Sequence, residues 1–394
     1  MNRKQSKSIR AIMLVTLLTI IVSSSLRLRA DTDTCDGQTI TIPFSDVGGS
    51  VFFCSIAEAY FTGLTNGTTP TTYSPNDPVP RGQMAAFITR TQDSALKRGS
   101  RRAALNQWAI PPGLPSGAVT DVGSSPTLVQ CDGADLWVAN NASGEVSRVR
   151  ASDGKLLDTW TGAPGAWGVL VARGRIFVTG FRNPGAIYRI EPSLASGNVA
   201  VLANNLGAFP EGITTDGRDL WTANFGGSVS KVAPGTGDVQ NFTAGFTHPT
   251  GILFDGDAIW ITDAGDNKLK KLNSNGTIAQ SVTVGAQPQF PIFDGLNIWV
   301  PCQDNKVMVV RASTGVVLAT LTGNSLNNPS TAAFDGEFVM VSNYDGDSVS
   351  MWRATDFNPI DSYSTGSGST PLGVCSDGAR FWVTLSGMGK LGHF

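Results

Sequence analysis

The chain of 394 residues contains only two histidines, His248 and His393, and that limits the chemistry open to it. A histidine within reach of a carboxylate can pass a proton to or from a substrate, and the pair available for this is His248 with Glu211. No G-x-S-x-G segment accompanies either histidine, so a serine nucleophile on a sharp turn is not indicated. The five cysteines, an odd number, include no C-x-x-C pair, which leaves redox and zinc motifs unsupported. The segments Asp263-Ala-Gly-Asp266-Asn267 and Asp345-Gly-Asp347 gather oxygens that calcium accepts, but tight turns demand the same residues. The expectation is therefore no metal and no cofactor. A second group of residues suits recognition better than catalysis: Trp167, Phe209, Phe246 and Phe290, interspersed with Glu211, His248, Gln289 and Asn328. Aromatic faces beside a few polar groups are what concave ligand sites use.

All eight residues lie in or beside the connections of a sequence repeat. SPTLVQCDGADLWVAN, FPEGITTDGRDLWTAN, HPTGILFDGDAIWITD and QFPIFDGLNIWVPC are variants of one unit. The turn of each unit falls at Asp132, Arg173, Asp216, Asp255, Asp294, Asp335 and Asp377, a period of about forty residues. That period, with Val, Ile and Trp runs cut by Gly-containing turns, belongs to four-stranded propeller blades and not to helical repeats. The fourth unit parses as PTGILF, AIWITD, KLKKLN and IAQSVTV, joined by DG, AGDN and SNGT. The second strand carries a large residue at one place, namely Trp137, Phe177, Trp221, Trp260, Trp299, Met340 and Trp382, with apolar neighbours on both sides. A strand apolar on both faces is buried on both, so these residues are expected between adjacent blades. The seventh unit has three strands, and GAVTDVG (117–123) ahead of the first unit can supply the missing fourth. The fold class expected is mainly β, a seven-bladed propeller with three-plus-one closure over 117–394. In a propeller the fourth-to-first and second-to-third connections share one face, which brings the eight residues around the channel mouth.

The repeat resembles the NHL/YncE-like superfamily of seven-bladed propellers, whose units read P-x-G-I-x-x-D-G-x-x-L-W-V. The resemblance covers residues 117–394. It implies the fold, and a function drawn from binding proteins, lactonases or streptogramin lyases; fold by itself does not choose among these.

Charged residues make up 15% of the chain, with 29 Lys and Arg against 31 Asp and Glu. Residues 1–30 carry six of the basic side chains and none of the acidic ones, so a chain without them has 23 against 31, a net −8. An acidic protein argues against nucleic acid as partner. Arg3, Lys4, Lys7 and Arg10 precede the apolar run Ala11–Val22, and small residues follow, the pattern of a secretory signal over 1–30. Twelve apolar residues are too short for a membrane span, so no integral membrane segment is expected and the protein should be exported. Cys35 and Cys54 can then pair in an oxidising compartment. Cys131 and Cys375 end the first strands of blades one and seven, where a bond would staple the ring closure if geometry allowed it. Cys302 reads as a buried thiol.

Residues 31–92 resemble an S-layer homology (SLH) module, a small α-helical domain, through Phe44, Asp46 and Val47, then Gly63 and Gly67, Tyr73 and Pro75, and Arg81. Pro80, Gly82 and Gln83 stand where the family has Thr, Ala and Glu, and there is a single copy. Helices are expected over Cys54–Phe61 and from Arg81 to Gln92, the latter with Met84, Phe87 and Ile88 on one face. The resemblance implies contact with peptidoglycan or wall polysaccharide through Arg81 and Asp46; a degenerate structural cap is the other reading. Residues 93–116 are a basic and Pro/Gly linker. Together these features describe an exported cell-envelope binding protein. The alternative is a propeller enzyme, lyase or lactonase, using His248 and Glu211.

Overall fold

Runs of five or six strand-forming residues, each closed by a Gly-containing turn, leave the chain little choice but consecutive hairpins. The computed structural model describes residues 30–35, 38–61, 65–84, 87 and 119–394, and the chain divides into two compact units after Ser94. In the second unit the hairpins form seven antiparallel four-stranded sheets, the blades of a β-propeller. Blade 4 is typical, with strands Pro249–Phe254, Ile259–Asp263, Lys268–Leu272 and Ile278–Thr283 from the channel outward. Blade 7 takes Pro371–Ser376, Phe381–Leu385 and Lys390–His393, and its fourth strand is Val119–Asp121. The register runs Val119 to Gly392, Thr120 to Leu391 and Asp121 to Lys390, with a 2.7 Å ion pair between the last two side chains. The expected three-plus-one closure is what forms, and it leaves no unpaired edge where the ring joins.

Blades adhere through the second strands. Trp137, Phe177, Trp221, Trp260, Trp299, Met340 and Trp382 are all fully buried, and the hydrophobic clusters run from each blade into the next. Burying an indole also buries its N–H, which then needs an acceptor. The Asp of the Asp-Gly turn supplies it: Asp132, Asp216, Asp255, Asp294 and Asp377 each accept the indole N–H of the Trp five residues later at 2.8–2.9 Å. The other oxygen of the same carboxylate caps the turn's backbone N–H groups. Blade 2 has lost both partners together, with Arg173 and Phe177. Blade 6 keeps Asp335 without an indole, and burial there pushes its carboxyl above the usual range despite two backbone N–H bonds.

A second device joins neighbouring blades near the channel. Two residues after the large second-strand residue, Thr179, Thr262, Ser342 and Thr384 accept an N–H from their own first strand. Each then donates to a carbonyl in or just ahead of the first strand of the next blade, respectively Glu211, Gln289, Leu372 and Thr127. Blade 1 has Ala139 at that place, and Thr127 bonds across to Trp167 O at 2.8 Å instead.

A third device ties the mouth loops. In blades 1, 3 and 6 a buried Asn at the end of the second strand donates to a Ser on the third: Asn140 to Ser147, Asn224 to Ser230 and Asn343 to Ser350, at 2.8–2.9 Å. Blade 4 replaces this neutral pair with Asp263 and Lys270, both buried, 2.7 Å apart. Lys270 also pairs with Asp266 at 2.6 Å and donates to Gly245 O. Burial alone would lift the Asp263 carboxyl, but Lys270 and the N–H groups of Thr247 and His248 hold it below the usual range. Asp263 and Asp266 thus each give an oxygen to the Lys270 ion pair, and Asn267 Oδ1 accepts from Gln287 N. At Asp345-Gly-Asp347, Asp345 holds Asn328, while Asp347 accepts from Gly368 N, Thr370 N and Ser369 Oγ.

The first unit pairs Asp31–Cys35 with Gln38–Ile42 and follows with the helix Phe53–Phe61. Cys35 and Cys54 form a disulfide with Cα atoms 5.6 Å apart. Phe44, Val47, Phe53 and Ile56 are its core, with Tyr60 and Tyr73 against the Phe44 ring. Gly67 has φ +82°, and a Cβ there would fall 2.5 Å from the Phe44 ring and from Thr72 O, so only glycine fits. Residues 81–84 and Phe87 are helical; the other residues of the expected second helix, the 1–29 stretch of the signal and the 93–116 linker lie outside the described residues. No helix among the described residues is long and apolar enough to cross a membrane.

Breaking one partner of the blade 4 ion pair leaves a buried charge, at a cost of about 3–5 kcal/mol. Lys270→Met is expected to lose that much in denaturant unfolding. The double variant Asp263→Asn/Lys270→Ser, which rebuilds the neutral pair of blades 1, 3 and 6, is expected to recover most of it.

Candidate ligand-binding site

The mouth face is framed by a backbone hydrogen bond that recurs in every blade. The residue after each second strand donates its N–H to the residue just before the first strand: Asn141 to Ser125, Phe181 to Gly165, Phe225 to Phe209, Ala264 to His248, Gln303 to Gln287, Tyr344 to Asn328 and Ser386 to Thr370. Six of the seven acceptors are left-handed, with φ from 41° at Thr370 to 72° at Gly165. Such a conformation costs an L-residue about 1–2 kcal/mol and favours Gly or Asn. Most blades comply with small or polar residues. Blade 3 does not: Phe209 has φ 59° and remains 36% exposed. His248 is the seventh acceptor, outside the left-handed set, its N–H held instead by Asp263 at 2.8 Å.

Two groups of rings lie on blades 2 to 4, and Phe209 belongs to the first. Trp167 stacks on Phe181 at 4.9 Å, and Phe181 meets Phe209 at 5.1 Å. Phe225, hydrogen-bonded through its backbone to Phe209, stacks on the exposed His248 ring at 4.9 Å and is itself 39% exposed. The indole N–H of Trp167 is buried and has no acceptor. Phe181 and Phe225 are not among the sequence candidates: they sit in second-to-third strand hairpins, whereas the candidates come from the fourth-to-first connections. Their signal was available: an aromatic directly after the second strand, in TGF and ANF.

The other candidates are placed differently. Phe246 is 9% exposed, packs in the blade 3–4 core with Trp221 and Ile261, and has the Lys270 ammonium 5.6 Å from its ring. Phe290 is buried and lines the central channel, a cavity of about 340 Å³ bounded by first-strand residues such as Val129, Leu170, Ile213 and Leu253. Gln289 donates to Gln287 O at 3.1 Å, and Asn328 holds Asp345. Both are part of the mouth's scaffold, one blade or more beyond the rings.

Glu211 follows Pro210 on the first strand of blade 3, and its side chain has no hydrogen-bond partner among the described residues. Burial, with nothing to stabilise the charge, raises its carboxyl to about 8, so at neutral pH it is a neutral acid. No hydrogen bond joins it to His248, whose ring is occupied by Phe225. The described residues contain no group of three His, Cys, Asp or Glu able to hold a metal. The three unpaired cysteines are inert: burial pushes Cys131 up to about 11, Cys302 to about 12 and Cys375 well above its ordinary value. Cys131 and Cys375 share the cluster that packs blade 7 on blade 1, as free thiols.

In the first unit, both carboxylate oxygens of Asp46 are taken by the N–H groups of Tyr73 and Ser74, a structural duty. Arg81 is exposed at the start of its helical turn and forms no ion pair among the described residues.

Compared as a sequence, the chain matches no protein-family model and no curated protein. As a fold it is a seven-bladed β-propeller with solved counterparts. The WD40 β-propeller domain of Doa1 superposes with a TM-score of 0.59 at 14% identity, over 70% of this chain and 95% of that one. A Kuenenia stuttgartiensis hydrazine synthase chain gives 0.59 at 14%, over 73% and 97%. The computationally designed Ika8 protein gives 0.54 at 12%, over 70% and 98%. Identities this low speak for the fold alone.

Glu211 is protonated in the folded protein up to about pH 8 but ionises near 4.5 in the unfolded chain. A raised carboxyl favours the fold at low pH, and that contribution is lost as pH rises from 4.5 through 8. Glu211→Gln is expected to flatten the decline of stability across this window, by on the order of 3 kcal/mol over its whole span. Unfolding midpoints at pH 5 and pH 8.5 for both proteins check it.

Proposed function

We propose that this is an exported cell-envelope binding protein whose propeller recognises a ligand or partner at the aromatic face of blades 2 to 4, while the first unit contacts the wall. The observation that carries the reading is Phe209. A bulky ring is kept half-displayed in a left-handed backbone position where blade 2 uses Gly165 and the others use small or polar residues or histidine. Local strain is retained where the strained residue has a use, and recognition is a use that an exposed, stacked ring can serve. Propellers commonly serve as binding platforms, which agrees with this reading.

Export is supported by the signal-like 1–30 segment and by the Cys35–Cys54 disulfide, a bond that persists in oxidising compartments. Wall contact rests on the SLH resemblance and on Arg81, a free guanidinium at a helix start. Asp46 drops out of that role, since its oxygens are spent within the unit. The propeller-enzyme alternative gains no support from a Glu211 and His248 that share no hydrogen bond.

Co-sedimentation of residues 31–394 with cell-envelope fractions tests both halves. Arg81→Ala is expected to reduce pelleting on bare sacculi, and Phe209→Gly to reduce retention by whole envelope while leaving the melting temperature within a few degrees. Unchanged pelleting for both variants would contradict the proposal.

A further inference from the structure

The mouth of blades 2 to 4 carries a cation that no acid among the described residues answers. Blade 2 has four arginines, and three of them are engaged. Arg175 and Arg189 share Glu191, at 2.7 and 3.3 Å, and Arg173 donates to Gly217 O at 2.8 Å. Arg182, in the second-to-third hairpin beside Phe181, is half-buried and has neither an ion pair nor a side-chain hydrogen bond among the described residues. Its Nε is buried without an acceptor, while its two terminal amino groups, also without acceptors, reach the surface.

The group is nonetheless held in place. Phe181 N donates to Gly165 O at 2.7 Å and Phe209 N to Arg182 O at 2.9 Å, which fixes the main chain on both sides. The guanidinium carbon lies 6.0 Å from the centre of the Tyr188 ring, and the Tyr188 hydroxyl is itself tied to Pro164 O at 2.9 Å. A buried ring thus backs the guanidinium while its outer N–H groups stay free. An arginine that is oriented and unpaired forgoes the charge-assisted bonds that its planar fork makes with a carboxylate or a phosphate.

Most other charges of this face are spent. Lys270 is held by Asp263 and Asp266, Lys306 by Asp304 and Lys390 by Asp121. Lys268 has neither an ion pair nor a ring beside it among the described residues, and Glu145 of blade 1 forms no ion pair with Arg182. Glu211 does not neutralise it either, since burial keeps that carboxyl uncharged up to about 8. The chain after residue 30 has 23 basic against 31 acidic side chains, a net −8 that repels a dense polyanion, so a lone arginine suits an isolated anionic group. We infer that Arg182 binds a single oxyanion of the ligand, a carboxylate or a phosphate, through its terminal N–H groups, while the exposed Phe209 ring, tied to Arg182 through the main chain, takes an apolar part of the same molecule. The assignment rests on the reading of this face as the recognition surface.

The test is NMR titration of residues 31–394 with 4-phenylbutyrate and with phenyl phosphate, each an oxyanion joined to an apolar ring, and with the neutral 4-phenylbutanamide. Saturable binding of at least one anion is expected, with the amide about tenfold weaker or more. The tighter of the two anions tells carboxylate from phosphate. Arg182→Gln should weaken that anion about tenfold, to the level of the amide, and Arg182→Lys severalfold, since the charge stays and the fork goes. Neither replacement breaks an internal side-chain bond, so both variants should melt within a few degrees of the wild type. No saturable binding of either anion up to about 10 mM overturns the inference. So does an amide that binds as well as the anions, or an anion affinity that Arg182→Gln leaves unchanged. Envelope retention checks the face separately. If Phe209→Gly lowers retention while the anion result fails, the face stands and the oxyanion assignment falls; if Phe209→Gly leaves retention unchanged, the face itself falls.

Discussion

The mouth of this propeller depends on one backbone hydrogen bond made seven times, from the residue that leaves the second strand to the residue that enters the first. The bond fixes the two connections that share this face, and it does so without using a side chain. Side chains at both ends are therefore released from structural work and can vary from blade to blade. In blades 1, 5, 6 and 7 the acceptors are Ser, Gln, Asn and Thr; in blades 3 and 4 they are Phe209 and His248. The constraint is a left-handed backbone at six of the seven positions, which makes an aromatic there expensive and its presence informative.

The frame in turn needs blades that do not slide. Second-strand tryptophans fill the gaps between sheets, and each buried indole is satisfied by the turn aspartate of its own blade. Thr and Ser hydroxyls then bridge first strands across blade boundaries, and the Val119–Asp121 strand closes the ring from the far end of the sequence. Blade 4 carries the costliest variation, a buried Lys–Asp pair that holds the Thr247–His248 backbone. It positions the His248 ring, while the neutral Asn–Ser pairs of blades 1, 3 and 6 join the second strand to the third.

Much of this architecture was legible in the residues. The period of the Asp-Gly turns set the number of blades, and the missing fourth strand of the last unit pointed to the segment at 117–123. The burial of the second-strand tryptophans followed from apolar neighbours on both sides, and Cys35–Cys54 pairs as the spacing allowed. The site was only half legible. Trp167, Phe209 and His248 belong to the two ring groups, but Phe246 and Phe290 face the core and the channel, because a connection's composition does not say which of its residues turns inward. Phe181 and Phe225 come from another part of each unit and meet their ring partners only when residues 14 to 28 positions apart are brought together. The unpaired Trp167 N–H and the solitary Glu211 carboxyl could not be read at all, since being without a partner is a property of packing.

The claim at the centre of the account is that a ligand meets this face and not another. Fluorine NMR of the 5-fluorotryptophan-labelled protein tests it, because Trp137, Trp221, Trp260, Trp299 and Trp382 are fully buried between blades while Trp167 stacks on Phe181 at the mouth. On adding solubilised cell-envelope material, the account expects the resonance missing from Trp167→Phe to shift and those of the blade tryptophans to stay in place. A ligand that binds while the Trp167 signal remains unmoved would contradict it.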